Sequence, residues 1–241
     1  MQETKLYLLP NSLDSNNFDI NLFPANLGSI VCNLNVIFVE DEKIARKYLL
    51  QFMNRDEMQN IQMKKLSKYT DENELNEFIS IIKKGGKFGV LSDAGLPCIA
   101  DPGSKLVELA KKNSIPVTSI TGPSSILIAL MLSGFSAQSF VFHGYLPRKV
   151  EMLSKKLAVI EKSAHLEFFT HVWIEVPYRS DKMLEACIDI LHPKTLLSVS
   201  MNLTSKEEKV ITLPLSLWKQ KKIEIGKNPC VFLLAPKGHK K

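Results

Sequence analysis

Residues 91–103 contain the side chains and spacing best suited to binding a ligand. They read Leu-Ser-Asp-Ala-Gly-Leu-Pro-Cys-Ile-Ala-Asp-Pro-Gly, so two aspartates, two prolines and two glycines follow an apolar run. The pattern predicts a buried strand ending at Leu91, a loop, and a helix beginning at Gly103. Ligands of open α/β sheets bind beyond the carboxyl ends of the strands, and helix N-termini offer free N–H groups. The pattern therefore indicates a binding loop. A rigid turn, with Asp93 and Asp101 bonded to nearby backbone, is the alternative.

The common nucleotide-binding signatures are missing from the sequence. The first predicted strand is followed by Leu-Leu-Pro-Asn-Ser at 8–12 rather than by G-x-G-x-x-G, and no G-x-x-x-x-G-K-[ST] occurs. These absences argue against a common dinucleotide-binding fold and against a P-loop NTPase.

The elements that must position the loop alternate between strand and helix. Apolar runs predict strands over 5–9, 36–39, 88–91 and 117–120, and helical spacing predicts helices over 42–52, 71–84 and 103–113. Such alternation is typical of a parallel sheet covered by helices on both faces. We therefore predict an α/β fold with a mostly parallel first sheet.

The alternation stops at Thr121-Gly122-Pro123, where we expect a domain boundary. This divides the chain into an N-terminal α/β domain, 1–121, and a C-terminal α+β domain, 122–241, with a basic tail. Strands are predicted near 140–142, 172–175, 196–200, 210–213 and 230–234, with helices over 150–162 and 179–191. Several of these strands follow one another without a helix between them, which predicts a mixed second sheet.

The charge is concentrated at one end of the chain. Lys and Arg number 31 and Asp and Glu 25, giving +6. Residues 219–241 hold seven lysines and one acid, so they account for the whole excess. The lysines are Lys219, Lys221, Lys222, Lys227, Lys237, Lys240 and Lys241. The rest of the chain is nearly neutral and gives no support for a broad nucleic-acid-binding face.

The cysteines and the apolar segments favour a cytoplasmic protein. The four cysteines are widely spaced without a C-x-x-C pair, so neither a disulfide framework nor a zinc site is expected. No signal peptide is recognisable. The most apolar helical stretch, 126–132, is too short to cross a bilayer, so no membrane association is expected.

Six short motifs occur in order along the chain. They are L-Y-L-L-P at 6–10, E-D at 40–41, S-D-A-G-L-P at 92–97, D-P-G at 101–103, T-G-P-S-S at 121–125 and G-Y-L-P-R-K at 144–149. This set resembles the tetrapyrrole (corrin/porphyrin) methylase superfamily of S-adenosylmethionine-dependent methyltransferases. Within it, the sequence is most similar to the branch that methylates a cytidine ribose 2′-hydroxyl in small-subunit (16S) ribosomal RNA.

The resemblance implies two α/β domains, S-adenosylmethionine in the cleft between them, a homodimer, and ribosomal RNA or the small ribosomal subunit as substrate. No metal ligand is expected among the residues. By position, it implies cofactor contacts from Leu9, Pro10, Ser92, Asp93, Gly95, Leu96, Ile99, Ser124 and Ser125, and from Glu175, Met201 and Asn228 in the second domain.

Methyl transfer to a ribose hydroxyl requires alignment and help with a proton. Transfer from a sulfonium is an in-line displacement, in which positioning supplies much of the rate. A hydroxyl is a poor nucleophile, so a general base is expected. The candidates are Glu40, Asp93 and Glu175, each near a predicted strand end. Purely structural roles compete: Glu40 and Asp41 capping the next helix, Asp93 stiffening its loop, and Glu175 pairing with Arg179.

The chain also departs from the family pattern. Pro-Asn-Ser-Leu at 10–13 replaces a glycine-containing turn, and Met-Asn-Leu-Thr-Ser at 201–205 replaces an R-E-L-T-K-like segment. Two alternatives therefore stay open: a methyltransferase acting on a tetrapyrrole or another small molecule, and a non-catalytic member that binds the cofactor or RNA. Arg148 and Lys149 are either phosphate contacts or part of a solvated face.

Overall fold

A computed structural model describes residues 4–14 and 17–235. The chain divides into two compact units, Met1–Ser124 and Ser125–Lys241. The boundary expected after Thr121 lies close to this division. The predicted basic tail at Lys237, Lys240 and Lys241 lies outside the described residues.

The first unit is built on five parallel strands. They are β1 (Lys5–Leu9), β2 (Val36–Val39), β3 (Gln62–Lys65), β4 (Lys87–Leu91) and β5 (Val117–Ser119). Their order is β3-β2-β4-β1-β5, and every neighbouring pair runs parallel. The helices are α1 (Leu27–Val31), α2 (Glu42–Leu49), α3 (Arg55–Met58), α4 (Glu72–Lys83) and α5 (Gly103–Lys112). The predicted parallel α/β sheet is confirmed.

Helices cover both faces of this sheet, as its apolar strands require. Phe38 and Val90 lie in one buried cluster with residues of α4 and α5. Ile37 and Leu91 lie in a second cluster with residues of α1 and α2. Successive strand residues point to opposite faces. A strand buried on both faces therefore reads as a continuous apolar run.

The register brings the ends of three strands to one level. Leu9 of β1 pairs with Leu91 of β4, and Leu91 pairs on its other side with Val39 of β2. The loops that follow these strands therefore start side by side at the carboxyl edge of the sheet. This is the edge at which α/β sheets bind ligands.

The second unit is built on a mixed sheet, as predicted. Its strands are β6 (Phe140–Tyr145), β7 (Thr170–Glu175), β8 (Leu196–Met201), β9 (Lys209–Pro214) and β10 (Cys230–Ala235), in the order β6-β7-β10-β8-β9. β6 and β7 run parallel, and the other neighbours are antiparallel. The helices are α6 (Ser125–Ser133), α7 (Val150–Glu167), α8 (Ser180–Ile190) and α9 (Leu215–Lys221).

Large aromatic side chains fill the core of the second unit. Trp173 stacks on Phe232 with ring centroids 5.6 Å apart. The buried Trp218 donates its indole N–H to the carbonyl of Leu197 at 3.0 Å, which satisfies its polar atom. Over residues 4–14 and 17–235, no helix has the length and apolarity needed to span a membrane.

Candidate cofactor-binding and catalytic site

Asn11 ties together two of the loops at the carboxyl edge of the first sheet. Its side-chain Nδ2 donates to the carbonyls of Ser92 at 3.0 Å and Asp93 at 3.1 Å, and its backbone N–H donates to that of Gly95 at 2.8 Å. Asn11 is buried. It was not among the predicted site residues. The available signal was an asparagine directly after the first motif, where the related branch has a glycine-containing turn.

The adjacent acids Glu40 and Asp41 have different roles. Asp41 caps α2: its Oδ1 accepts from the N–H groups of Lys43 at 2.7 Å and Ile44 at 3.2 Å. Glu40 Oε1 instead accepts from the N–H of Asp93 at 3.3 Å. The capping role considered for this pair therefore belongs to Asp41, while Glu40 contacts the loop after β4.

Asp101 organises the far end of that loop. Its Oδ1 accepts from the N–H of Gly103 at 2.6 Å and of Cys98 at 3.2 Å, which is the local bonding of a rigid turn. Cys98 and Ala100 have φ of 71° and 57°, in the left-handed region that favours glycine. Such conformations cost about 1–3 kcal/mol each and persist where the surroundings enforce them. The hydrogen bonds that Asp101 accepts from Cys98 and Gly103 help to hold the backbone in these conformations.

Burial and mutual repulsion shift the pKa values of these groups. The pKa of Glu40 is raised to about 7 by burial and by the carboxyl of Asp101, against the bond from Asp93 N–H. The pKa of Asp93 is raised by burial and by the charges of Asp41 and Asp101, against a bond from Asp41 backbone. Burial and Asp101 raise the pKa of the Cys98 thiol to about 12, so it is no nucleophile at neutral pH. A carboxyl with a pKa near neutrality suits proton transfer.

The turn at Gly122 packs directly against the end of β1. A Cβ atom on Gly122 would lie 2.2 Å from Cβ of Pro10, so only glycine fits. Gly95 has φ of 69°, and a Cβ there would lie 3.1 Å from Leu13 Cδ2 and 3.6 Å from the carbonyl oxygen of Pro123. The loops after β1, β4 and β5 therefore pack against one another.

The other candidate residues of the first unit lie on these same strand ends and loops. Leu9 is fully buried in the core, and Ser92 donates its hydroxyl to the carbonyl of Ala94 at 3.1 Å. Ser124 is buried, whereas Ile99 is 46% exposed and presents an apolar side chain on the loop. Pro10 is buried and Leu96 half-buried. The printed contacts of the first unit join the loops after β1, β2, β4 and β5 that carry these candidates.

The candidate residues of the second unit lie at the same end of three neighbouring strands of the mixed sheet, β7, β10 and β8. Cys230 pairs with Glu175 of β7 on one side and with Met201 of β8 on the other, so the three form a row. Asn202, directly after Met201, donates its side-chain amide to Asn228 Oδ1 at 3.0 Å. Glu175, Met201 and Asn228 therefore lie near one another.

Glu175 is held by its own neighbours. Its Oε2 lies 3.2 Å from the Arg179 guanidinium, and its Oε1 accepts from the N–H of Val176 at 2.8 Å. The ion pair considered as its structural role is therefore present. Ser125 begins α6, and Arg148 and Lys149 are exposed just before α7. In the described parts of both units, no three His, Cys, Asp or Glu side chains form a group suited to a metal ion.

The chain thus has one unit with a parallel sheet and one with a mixed sheet, and the motif-bearing loops of the first unit start at the carboxyl edge of its sheet. Residues 29–217 match the family model of the Tetrapyrrole (Corrin/Porphyrin) Methylases. The chain belongs to this family, which confirms the resemblance.

Known relatives agree with this assignment. The chain is 30% identical over 190 residues to ribosomal RNA small subunit methyltransferase I of Vibrio cholerae, covering 78% of this chain and 62% of that protein. It is 30% identical over 215 residues to the protein of the same name from a Hydrogenobaculum species, covering 86% of this chain and 84% of that one. The match thus spans less than two thirds of the Vibrio protein.

Two solved structures share the fold. The methyltransferase CobJ matches with a TM-score of 0.64 at 13% identity, covering 100% of this chain and 97% of that one. The cobalamin biosynthetic enzyme CbiF, a cobalt precorrin-4 methyltransferase, matches with a TM-score of 0.57 at 13% identity, covering 97% and 95%. At this identity the two likenesses establish the predicted fold class.

Proposed function

We propose that the protein is an S-adenosylmethionine-dependent methyltransferase that methylates a ribose 2′-hydroxyl in small-subunit ribosomal RNA. The observation that carries the proposal is the frame of Asn11, Glu40 and the 92–103 loop, which assembles the family's motif residues at one sheet edge. The substrate follows from the relatives named ribosomal RNA small subunit methyltransferase I.

The frame has the chemistry to hold S-adenosylmethionine, which supplies a positively charged methyl sulfonium when bound. The charges acting on Glu40 are those of Asp101 and Asp93, and both are negative. Negatively charged carboxylates complement a positive ligand. Gly95, Leu96 and Ile99 would contribute backbone groups and apolar surface, and Ser124 a hydroxyl. Glu175, Met201 and Asn228 are the proposed contacts from the second unit, with Leu9, Pro10, Ser92 and Ser125 completing the set.

Removing the proton of the acceptor hydroxyl requires a carboxylate within hydrogen-bonding distance of that hydroxyl. Glu40 is favoured among the candidates because a pKa of about 7 lets it accept a proton at neutral pH. Asp93 is adjacent and is the second candidate. Glu175 is engaged by Arg179, so it is better suited to fixing the strand end than to taking up a proton.

RNA binding would draw on exposed cations of the second unit. Arg148, Lys149, Lys155 and Lys162 are exposed before and along α7, and such side chains bind phosphates without reading sequence. A homodimer and a cytoplasmic location belong to the same proposal. Exposed Leu127 and Met131 on α6 and Val159 on α7 offer apolar surface for a second copy.

A small-molecule acceptor is the second candidate. The departures at 10–13 and 201–205 and the structural likeness to a cobalt precorrin-4 methyltransferase favour it, and a non-catalytic binding role is the third possibility. The test is to offer the protein labelled S-adenosylmethionine with 30S subunits, free 16S RNA or a corrinoid precursor. Labelling of 30S subunits or RNA supports the proposal. Labelling of the corrinoid alone supports the second candidate, and cofactor binding without any transfer supports the third.

A further inference from the structure

Three consecutive residues at the start of α8 each contact a different part of the second unit. The Arg179 guanidinium lies 3.2 Å from Glu175 Oε2 at the end of β7. The hydroxyl of the buried Ser180 accepts from the thiol of Cys230 in β10 at 3.0 Å. Asp181 contacts the loop between α9 and β10. The start of α8 therefore joins the end of β7, the start of β10 and the loop before β10.

The Asp181 carboxylate binds a turn in that loop. Its Oδ1 accepts from the N–H groups of Ile225 at 2.7 Å and Gly226 at 3.1 Å, and its Oδ2 accepts from the same Gly226 N–H at 3.1 Å. Gly226 has φ of 68°, in the left-handed region that favours glycine, and Ile225 is buried. Hydrogen bonds from backbone N–H groups to a carboxylate are about twice as strong as those between neutral groups. Asp181 therefore holds the 225–226 turn against α8.

The same turn is linked to Asn228 and to the loop after β8. Asn228 Nδ2 donates to the carbonyl of Ile225 at 2.6 Å, and its Oδ1 accepts from Asn202 Nδ2 at 3.0 Å. The backbone N–H of Asn202 also donates to the carbonyl of Pro229 at 3.1 Å. A continuous path of hydrogen bonds therefore runs from Asp181 through the turn and Asn228 to Asn202.

We propose that Asp181 is a positioning residue: by holding the 225–226 turn, it fixes Asn228 and the loop after β8 in the arrangement that binds S-adenosylmethionine. Asp181 acts through these groups and does not itself contact the cofactor. A loop that is not held must be ordered when the cofactor binds, and that ordering lowers affinity. Asp181 belongs to none of the six motifs of the chain. The inference rests on the proposed cofactor contacts Met201 and Asn228, and it adds the residue that holds the loops beside them.

Four substitutions separate the parts of this path. Asp181→Ala removes both carboxylate oxygens, whereas Asp181→Asn keeps one oxygen for the turn. Asn202→Gly breaks the link to Asn228 and leaves the bonds of Asp181 in place. Because Asn202 has φ of 50°, glycine removes its side chain without adding backbone strain. Asp189→Ala is the matched control, because Asp189 is an exposed aspartate on the same helix.

The first measurement is S-adenosylhomocysteine affinity by calorimetry, at a temperature where circular dichroism shows each variant to be folded. Asp181→Ala should bind at least about fivefold more weakly than the wild type, the lower end of typical coupling between sites. Asp181→Asn should recover part of that loss, because its remaining oxygen still accepts from the turn. The Asp189→Ala control should stay within about twofold of the wild type. Wild-type affinity in a folded Asp181→Ala, or no recovery in Asp181→Asn, would overturn the proposal.

The double variant Asp181→Ala with Asn202→Gly tests whether these contacts act as one path. Both changes interrupt the same path, so the double variant should bind about as tightly as the weaker of the two single variants. Independent sites would instead multiply their two losses, and that result would contradict the path. If Asp181→Ala does not fold, Asp181→Asn takes its place in each comparison: it should bind more weakly than the wild type, and wild-type affinity would overturn the proposal.

Hydrogen exchange of the free protein supplies a readout that needs no cofactor. In Asp181→Ala the amides of Ile225 and Gly226 should lose protection, and so should the amide of Asn202, which donates to Pro229 at the other end of the path. Unchanged protection of the Asn202 amide would overturn the positioning role. Failure of the wild type to bind S-adenosylhomocysteine, with the exchange result as expected, would instead contradict the proposed function.

Discussion

Replacing Gly122 by alanine tests whether the turn after β5 positions the loops of the proposed cofactor site. The added Cβ would lie 2.2 Å from Pro10 Cβ and 3.0 Å from its Cγ. The shorter distance is roughly 1.3 Å below the separation at which carbon atoms attract, and a proline ring beside the backbone cannot rotate away. The turn and the end of β1 must therefore move apart by about 1 Å. Overpacking of this kind costs about 1–3 kcal/mol of unfolding free energy, and a 1 Å displacement of positioning groups costs about 100-fold in rate.

The assay for Gly122→Ala combines urea unfolding with methyl transfer, at a temperature where circular dichroism shows the variant to be folded. Gly28→Ala is the control: its Cβ meets only Phe52, at 3.3 Å, on helix α1, so transfer should stay within about twofold of wild type. Pro10→Gly removes the clashing ring atoms, so Gly122→Ala should cost less in that background than alone. Wild-type transfer by a folded Gly122→Ala would refute the positioning role.

Three further outcomes follow from the same contacts. Asn11→Ala should lower the unfolding free energy by about 1–3 kcal/mol, because it leaves buried carbonyls without a donor; urea unfolding that matches the wild type would contradict this. At pH 8, iodoacetamide should label the exposed Cys32 well before Cys98, whose thiol pKa is raised to about 12; equal rates by mass spectrometry would show that the loop is open. Arg179→Ala should destabilise the second unit by about 3–5 kcal/mol, because it leaves Glu175 buried and unpaired. Adding Glu175→Gln should recover part of that loss, and no recovery would mean that the ion pair is not the cause.

The sequence predicts those elements whose apolar pattern matches their burial. β2 reads V-I-F-V and is buried throughout, so its apolar run was sufficient. β3 reads Q-M-K-K with no buried residue; it is an edge strand held by β2, and its pattern carries no strand signal. α1 and α3 have five and four residues, too few to display a helical period.

Helix ends were less predictable than helices. α2 ends at Leu49 rather than at 52, and residues 50–52 form a turn. α7 runs to Glu167 rather than to 162, and it ends where Phe168 adopts a left-handed φ of 57°. Ala164 continues the buried row of Leu157 and Ile160 into this last turn, so the apolar repeat extends beyond the predicted end.

The candidate site could be located from its motifs, but the partners within it could not. Asp41 as a helix cap is a local feature and was foreseen as a role for the Glu40-Asp41 pair. The contact of Glu40 with Asp93 joins residues far apart in sequence, and it exists because β2 and β4 are neighbours in the sheet. The same holds for Asn11 and Ser92, which meet because β1 lies on the other side of β4. Strand order is the information that the motifs lack.

The most direct test of the central claim is methylation of 30S subunits from a strain lacking its own copy of this activity. The purified protein and labelled S-adenosylmethionine should transfer methyl to 16S RNA, and nucleoside analysis should find the label on a ribose 2′-hydroxyl. Recovery of the label on a base, or no transfer to 30S subunits by a protein that binds S-adenosylhomocysteine, would contradict the account.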